Sequence, residues 1–287
     1  MKKSMFLFLL SAALLILISC SSIIYIGKTR NPEIAPKIQT GNIVFINLFD
    51  YTSPVIVKEK DEISYHAGVR KLTEGLILSS SKDEPYKFFI GDSLKKGTGA
   101  RQLTTLLPPD SVVSICKRNR ADMLLSLDSM NIFFDWETIT DNDYSGKSKT
   151  KNFYLYTRFY LSLYSTTGDL IDRSQVQNSM LYKSRPTLSG LITIQPSIAK
   201  ANNAVGSLGF NAGEDYVGKF YPQKVNEPRS IYYGKAFRES NTYMHDGSWD
   251  KAIKILEQLV NSPDPKIAKR AQQNLSVARE AAGLPGN

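Results

Sequence analysis

Histidine and cysteine are nearly missing from this sequence. Among its 287 residues there are two of each, His66 and His245, Cys20 and Cys116. A structural zinc site draws on clustered cysteines and histidines, and a zinc hydrolase of the H-E-x-x-H type needs two histidines on one helix face; neither spacing occurs. No metal and no cofactor is expected. A disulfide framework is excluded too, because Cys20 has another fate and Cys116 is then left without an intrachain partner. Nucleophile motifs are equally thin. Ser79-x-x-Lys82 and Ser197-x-x-Lys200 share the spacing of a penicillin-binding serine and lysine, but no K-T-G follows either. Gly97-Thr98-Gly99 opens like a phosphate loop and lacks its Gly-Lys-Ser/Thr ending. The carboxylates Asp50, Asp61, Asp122 and Asp128 are scattered, and only the fold can say whether they meet. The expectation is a protein that is not an enzyme.

One long apolar run is present, Met5 to Ile18. It is shorter than the roughly 20 residues that span a bilayer. Lys2 and Lys3 precede it and Leu17-Ile18-Ser19-Cys20 ends it, which is the layout of a lipoprotein signal. Cleavage before Cys20 would leave that cysteine as the N-terminus, carrying palmitate-type acyl chains whose burial contributes about 0.8 kcal/mol per methylene. Residues 1–19 are therefore read as signal peptide, and 20–40 as lipidated cysteine and tether, since Ser21 to Thr40 is polar and contains proline. Ser21 and Ser22 in place of acidic residues favour the outer membrane, on its periplasmic side. The formal charge of +9 is spread along the chain, and in an exported lipoprotein nucleic acid is the least accessible partner for it.

Beyond the tether the elements alternate. Ile43 to Phe49 is a near-continuous apolar run suited to a strand covered on both faces. Asp61 to Ser80 repeats Tyr65, Val69, Leu72 and Leu76 at helical spacing. Tyr86 to Ile90 reads as a short strand, and Pro108-Pro109-Asp110-Ser111 starts a helix to Arg120 that sets Cys116 among apolar neighbours as an inert buried thiol. Three longer strands follow: Ala121 to Phe134, Asn152 to Ser165 and Leu170 to Tyr182, with Trp136 to Lys151 read as a polar mobile loop. Pro196 to Phe220 is a helix rich in glycine and alanine, which implies close approach to a neighbour. The fold class is α+β, a mixed sheet with packed helices in the order β-α-β-α-β-β-β-α over residues 41–228. Ser230 to His245, Trp249 to Val260 and Asp264 to Ala282 then form a helical tail, residues 229–287.

That tail resembles a tetratricopeptide unit. Tyr243, Gly247, Trp249, Ala252 and Leu256 stand where that repeat places a first-helix tyrosine, a turn glycine and a small second-helix residue, although Glu239 and Ser240 replace its usual leucine and glycine. In the larger region, Ile43 to Phe49, Arg120-Ala121-Asp122-Met123-Leu124-Leu125-Ser126-Leu127 and Leu163-Tyr164-Ser165-Thr166-Thr167-Gly168-Asp169-Leu170 carry a second resemblance. They are similar to the periplasmic α/β domain shared by the curli-secretion lipoprotein CsgG, the TolB N-terminal domain and the lipoprotein activators of peptidoglycan synthases. The whole arrangement resembles a Bacteroides-type outer-membrane lipoprotein family. These resemblances imply an envelope lipoprotein that binds a protein partner. A curli-type pore is not expected, because the polar residues of Trp136 to Lys151 could not face lipid.

In the strand Asn152 to Ser165, Phe153, Leu155, Phe159, Leu161 and Leu163 point one way while Tyr154, Tyr156, Arg158, Tyr160 and Tyr164 point the other. The second set is the candidate partner-binding face if it is exposed, and a helix-covered sheet face if it is not. Trp249 is a further candidate contact. The reading that follows is a lipid-anchored, non-enzymatic adaptor or assembly factor for another envelope protein, with glycan binding by the tyrosines as the alternative and an envelope hydrolase third.

Overall fold

The computed structural model describes residues 21–36, 40–51, 57–80, 84–91, 106–143, 146–186 and 194–285, with backbone alone at 141–143 and 146–148. Cys20, Lys82 and Gly97 to Gly99 lie outside the described residues. The chain divides into two compact units, one spanning Pro32–Pro222 and the other joining the residues before Pro32 to Gln223–Asn287. Among the described residues no helix is long and apolar enough to cross a membrane.

The larger unit is built on a five-stranded sheet. Its strands are β2 (Gly41–Asn47), β3 (Tyr86–Ile90), β4 (Met123–Asp143), β5 (Gly146–Ser165) and β6 (Leu170–Pro186), in the order β3-β2-β4-β5-β6. The first strand in sequence, β1 (Ser21–Arg30), belongs to the other unit. β2 runs parallel to both β3 and β4, and β4, β5 and β6 are antiparallel. The α+β class and the mixed sheet are those expected. β2 is buried on both faces, with Ile43 and Phe45 in one apolar cluster and Val44 and Ile46 in another, which is why its sequence shows no alternation.

Helices α1 (Glu62–Ser79) and α3 (Asn202–Gly218) cover one face, packing on Leu125, Leu127, Phe153, Phe159 and Leu161. On the other face α2 (Pro109–Asn119) sets Val112, Ile115 and Cys116 against Val44, Ile46, Leu124 and Tyr164. α1 and α3 approach so closely that their backbones touch through glycines. A Cβ added to Gly213 would stand 2.5 Å from the Leu72 carbonyl oxygen and 2.6 Å from the Leu76 nitrogen; one on Gly209 would strike the Gly68 carbonyl.

Two segments differ from the expectation in this unit and at its border. Trp136 to Lys151 is no loop: β4 and β5 continue through it, pairing from Trp136↔Phe153 to Asp143↔Gly146. Residues 135–140 are exposed on both faces, so Thr138, Ile139 and Thr140 keep their strand propensity without any hydrophobic alternation to advertise it. Ser21 to Arg30, read as tether, is β1, antiparallel to β7 (Gln223–Tyr232). Its partner lies near the other end of the chain, so nothing local marks it as a strand.

The smaller unit sets this two-stranded ribbon against three helices, α4 (Arg238–His245), α5 (Trp249–Val260) and α6 (Pro265–Ala281). The helical region therefore starts at Lys235, after β7 and with a 3-10 turn, and not at Ser230. Ile24, Ile26 and Ile231 on the inner ribbon face join Phe237, Ala252, Leu256, Ala271, Leu275 and Ala278 in one buried cluster. Gly247 makes the turn between α4 and α5 at φ 72°. The fully buried Asn274 accepts from the Tyr232 amide at 2.8 Å and donates to its carbonyl at 3.0 Å, while Asn241 donates to that same carbonyl at 2.9 Å. The end of β7 is thus capped by two helical amides.

A charge network closes the ribbon against α6. Arg229 holds Glu280 with two hydrogen bonds, of 3.0 and 2.9 Å, and donates to Glu227 at 2.7 Å; Lys28 pairs with Glu280 as well. The Arg229 guanidinium first, and Lys28 after it, bring the Glu280 carboxyl down to about 2. A carboxyl depressed on folding stabilises the native state above its ordinary value near 4.5 and loses that contribution as pH falls toward 2.

Two outcomes follow. Unfolding followed by Trp249 fluorescence in a Trp136→Phe background will show stability falling between pH 4.5 and about 2, and Glu280→Gln will flatten that fall. Gly213→Ala, which in a free helix would stabilise, will instead cost roughly 1–3 kcal/mol in urea unfolding because the added methyl has no room.

Candidate functional site: an open aromatic sheet face

The sheet changes character along its length. At its base β2 flanks β4 from Met123 to Leu127, and α2 covers the face. A bulge between Leu127 and Ser129 then interrupts the β4–β5 register. At the bulge Asp128 accepts hydroxyl hydrogen bonds from Ser126 at 2.6 Å and Ser162 at 2.5 Å. Beyond it β4, β5 and β6 continue as a three-stranded sheet whose helix-side face is apolar and buried, with Met130, Ile132, Phe134, Phe153, Leu155 and Phe159.

The opposite face carries the tyrosine strand. Cross-strand pairs stack up it in order: Ser129↔Tyr160, Asn131↔Arg158, Phe133↔Tyr156 and Asp135↔Tyr154. Tyr154, Tyr156, Arg158 and Tyr160 are each half-buried. Phe133 and Tyr156 stack with ring centroids 5.1 Å apart and planes 7° from parallel. The Arg158 guanidinium lies 4.7 Å from the Phe133 ring centroid and donates through Nε to Gln177 at 2.5 Å. Tyr154 donates its hydroxyl to Glu137, which also accepts from Asn152 at 3.3 Å. The hydrogen bond to Glu137 raises the Tyr154 phenol, burial and the Glu137 charge adding to it. Farther out, on the helix-side face, the Lys151 ammonium sits 4.4 Å from the half-exposed Trp136 ring.

Two predicted contacts fall outside this ladder. Tyr164 is 1% exposed, packed beneath α2 with its hydroxyl accepting from the Leu107 amide at 3.2 Å. It is a core residue, because it sits at the covered base of the same strand face. Trp249, at the start of α5, packs partly buried on the core of the other unit. Phe133 was missed. It and Tyr156 both lie in strands that the sequence predicted, but the bulge between Leu127 and Ser129 reverses the alternation of β4, so that counting on from Met123, Leu125 and Leu127 places Phe133 on the covered face.

Several of the other candidate residues that are described make local contacts. Asp61 accepts from the Ala199 amide at 3.0 Å, and Asp122 from the Asn42 amide at 2.8 Å. His66 stacks on Tyr51 at 3.9 Å and bonds Glu62, and His245 is exposed at the end of α4. The Ser197 backbone carbonyl accepts from the Lys200 amide at 3.2 Å, closing a 3-10 turn. Among the described residues no three His, Cys, Asp or Glu side chains are grouped as metal ligands. Burial, then the Asp122 charge, pushes the Cys116 thiol up to about 11.

With this geometry in hand the chain can be placed. A family model described as a domain of unknown function, DUF8603, matches residues 56–232, more than half of the chain. The protein belongs to that family. The match runs from just before α1 to the end of β7 and so takes in the whole tyrosine face. No match was found among curated protein sequences. Among solved structures the chain is similar to a neuraminyllactose-binding hemagglutinin homolog from Helicobacter pylori, at 11% identity over 65% of this chain and 89% of that one, with a TM-score of 0.32. It is also similar to the PelC L103M dodecamer from Paraburkholderia phytofirmans, at 12% identity over 66% and 96%, with a TM-score of 0.26. Both scores are too low to transfer an architecture.

A buried thiol at this position has a direct readout. Maleimide at neutral pH will leave Cys116 unmodified in the native protein and modify it on unfolding.

Proposed function

We propose that the protein is an outer-membrane lipoprotein, held through acylated Cys20 with its body on the periplasmic side, that acts as a non-enzymatic adaptor for another envelope protein. The observation that carries this reading is the ladder of half-buried Tyr154, Tyr156, Arg158 and Tyr160 around the Phe133–Tyr156 stack. Tyrosine and arginine are the residues that most often dominate protein interfaces, since each offers large contact area with a polar tip. Here both are held in place before any partner arrives: Arg158 by Gln177 and Phe133, Tyr154 by Glu137. Less side-chain entropy is then lost on binding. The same surface suits the stacking of a sugar ring, which is the second reading. The helices α4 to α6, with their tetratricopeptide resemblance, would supply a further protein-binding surface.

A photo-crosslinking amino acid at Tyr156 will give a discrete protein adduct in living cells, identified by mass spectrometry. Tyr156→Ala will weaken the complex with that partner by roughly 1–2 kcal/mol, about ten-fold in affinity. Adducts with peptidoglycan fragments alone would favour the sugar reading, and no adduct at Tyr156 or Tyr160 would remove this face from the function.

A further inference from the structure

The ribbon of the smaller unit has two apolar faces, and the helices cover one of them. On the inner face Ile24, Ile26 and Ile231 are buried. On the outer face Ile23 is 59% and Tyr25 67% exposed, with the exposed Pro228 beside Tyr25. Strand alternation puts Ile23 and Tyr25 on the same side. The outer face is graded. Its apolar end, with Ile23, Tyr25 and Pro228, lies next to Ser21. Its far end pairs Gly27 with Asn226 and Thr29 with the exposed Lys224.

From this we infer that the outer ribbon face rests on the bilayer interface, as a second contact between the protein and the membrane. The inference relies on the anchoring of Cys20 proposed above. Because β1 begins at Ser21, no tether separates the anchor from the folded unit. Fully extended chain spans at most about 3.4 Å per residue, so Ile23 stands within roughly 10 Å of Cys20 and Tyr25 within roughly 17 Å. That reach is comparable to the headgroup layer. Tyrosine and aliphatic side chains at this depth gain from the interface, whose mixed polarity matches a ring with a hydroxyl tip. The lysine at the far end, Lys224, meets anionic headgroups or water. A bilayer thus explains both the exposure of the apolar pair and its placement at the anchored end, and the helices on the inner face are held on the side away from the lipid.

The test uses the full lipidated chain in phosphatidylethanolamine–phosphatidylglycerol vesicles, with an environment-sensitive fluorophore on Ile23→Cys, on Tyr25→Cys or on Lys254→Cys. The last is an exposed position on α5, on the helix side of the ribbon. Nitroxide lipid in the headgroup region will quench the labels at positions 23 and 25 by about two-fold or more, as for groups seated some 5–10 Å into the interface, and leave position 254 unchanged. Palmitate-labelled, vesicle-bound protein with equally weak quenching at all three positions would overturn the docking while leaving the anchor intact. So would shielding of positions 23 and 25 from iodide without quenching by lipid, which would mean that protein covers the face. Loss of both palmitate labelling and vesicle binding would overturn the anchor and the docking together.

Discussion

The pairing of Ser21–Arg30 with Gln223–Tyr232 decides how this protein is organised. It joins backbone that is distant in sequence, Arg30 and Glu227 being 197 residues apart, so that the larger unit is, in sequence, an insertion between the two strands of the smaller one. The cost of closing so long a loop grows only slowly with its length, and the ribbon meets it with a full antiparallel ladder, a buried isoleucine trio and the Arg229–Glu280–Lys28 network. Without that pairing the last three helices would be a short stack with an open core. With it, they share a buried cluster with β1.

In the larger unit the corresponding constraint is the closeness of α1 and α3. Glycine in a helix is conformationally costly, and Gly75, Gly209 and Gly213 are tolerated because each occupies a place where a side chain would meet the other helix's backbone. The two helices form a dense layer over the apolar face of β4, β5 and β6. The sheet's opposite face is then asymmetric: α2 covers its base, and the β4–β5–β6 extension beyond the Asp128 bulge carries the half-buried aromatic ladder. Function is proposed for that extension because it is where strand alternation sets large aromatic and cationic side chains at a surface.

Much of this was legible in the residues. The doubly apolar run of β2, the helical spacing of α1, the Pro108-Pro109-Asp110 helix start and the alternation of β5 each report a local environment, and all four elements stand where they were expected. The parallel and antiparallel strands also fell out correctly, since helices between strands imply crossovers and a Thr-Gly-Asp turn implies a hairpin. What misled was exposure. Residues 135–140 are exposed on both faces, so they have strand backbone without strand patterning, and they read as loop. The tyrosine set was left open between a surface and a helix-covered face, and Tyr164 falls to the second because α2 packs over it.

The sequence by itself determined most of the local elements, the burial of Cys116 and the α+β class, because each depends on a few neighbouring side chains and the side of the chain they must bury. Only the tertiary structure decided that the first half of the supposed tether, Ser21–Arg30, is a strand, that the tyrosine face divides into a buried foot and a half-buried ladder, and that Phe133 belongs to it. Those outcomes depend on partners from distant parts of the chain, and a side chain's exposure is a property of what packs over it, which no local pattern encodes.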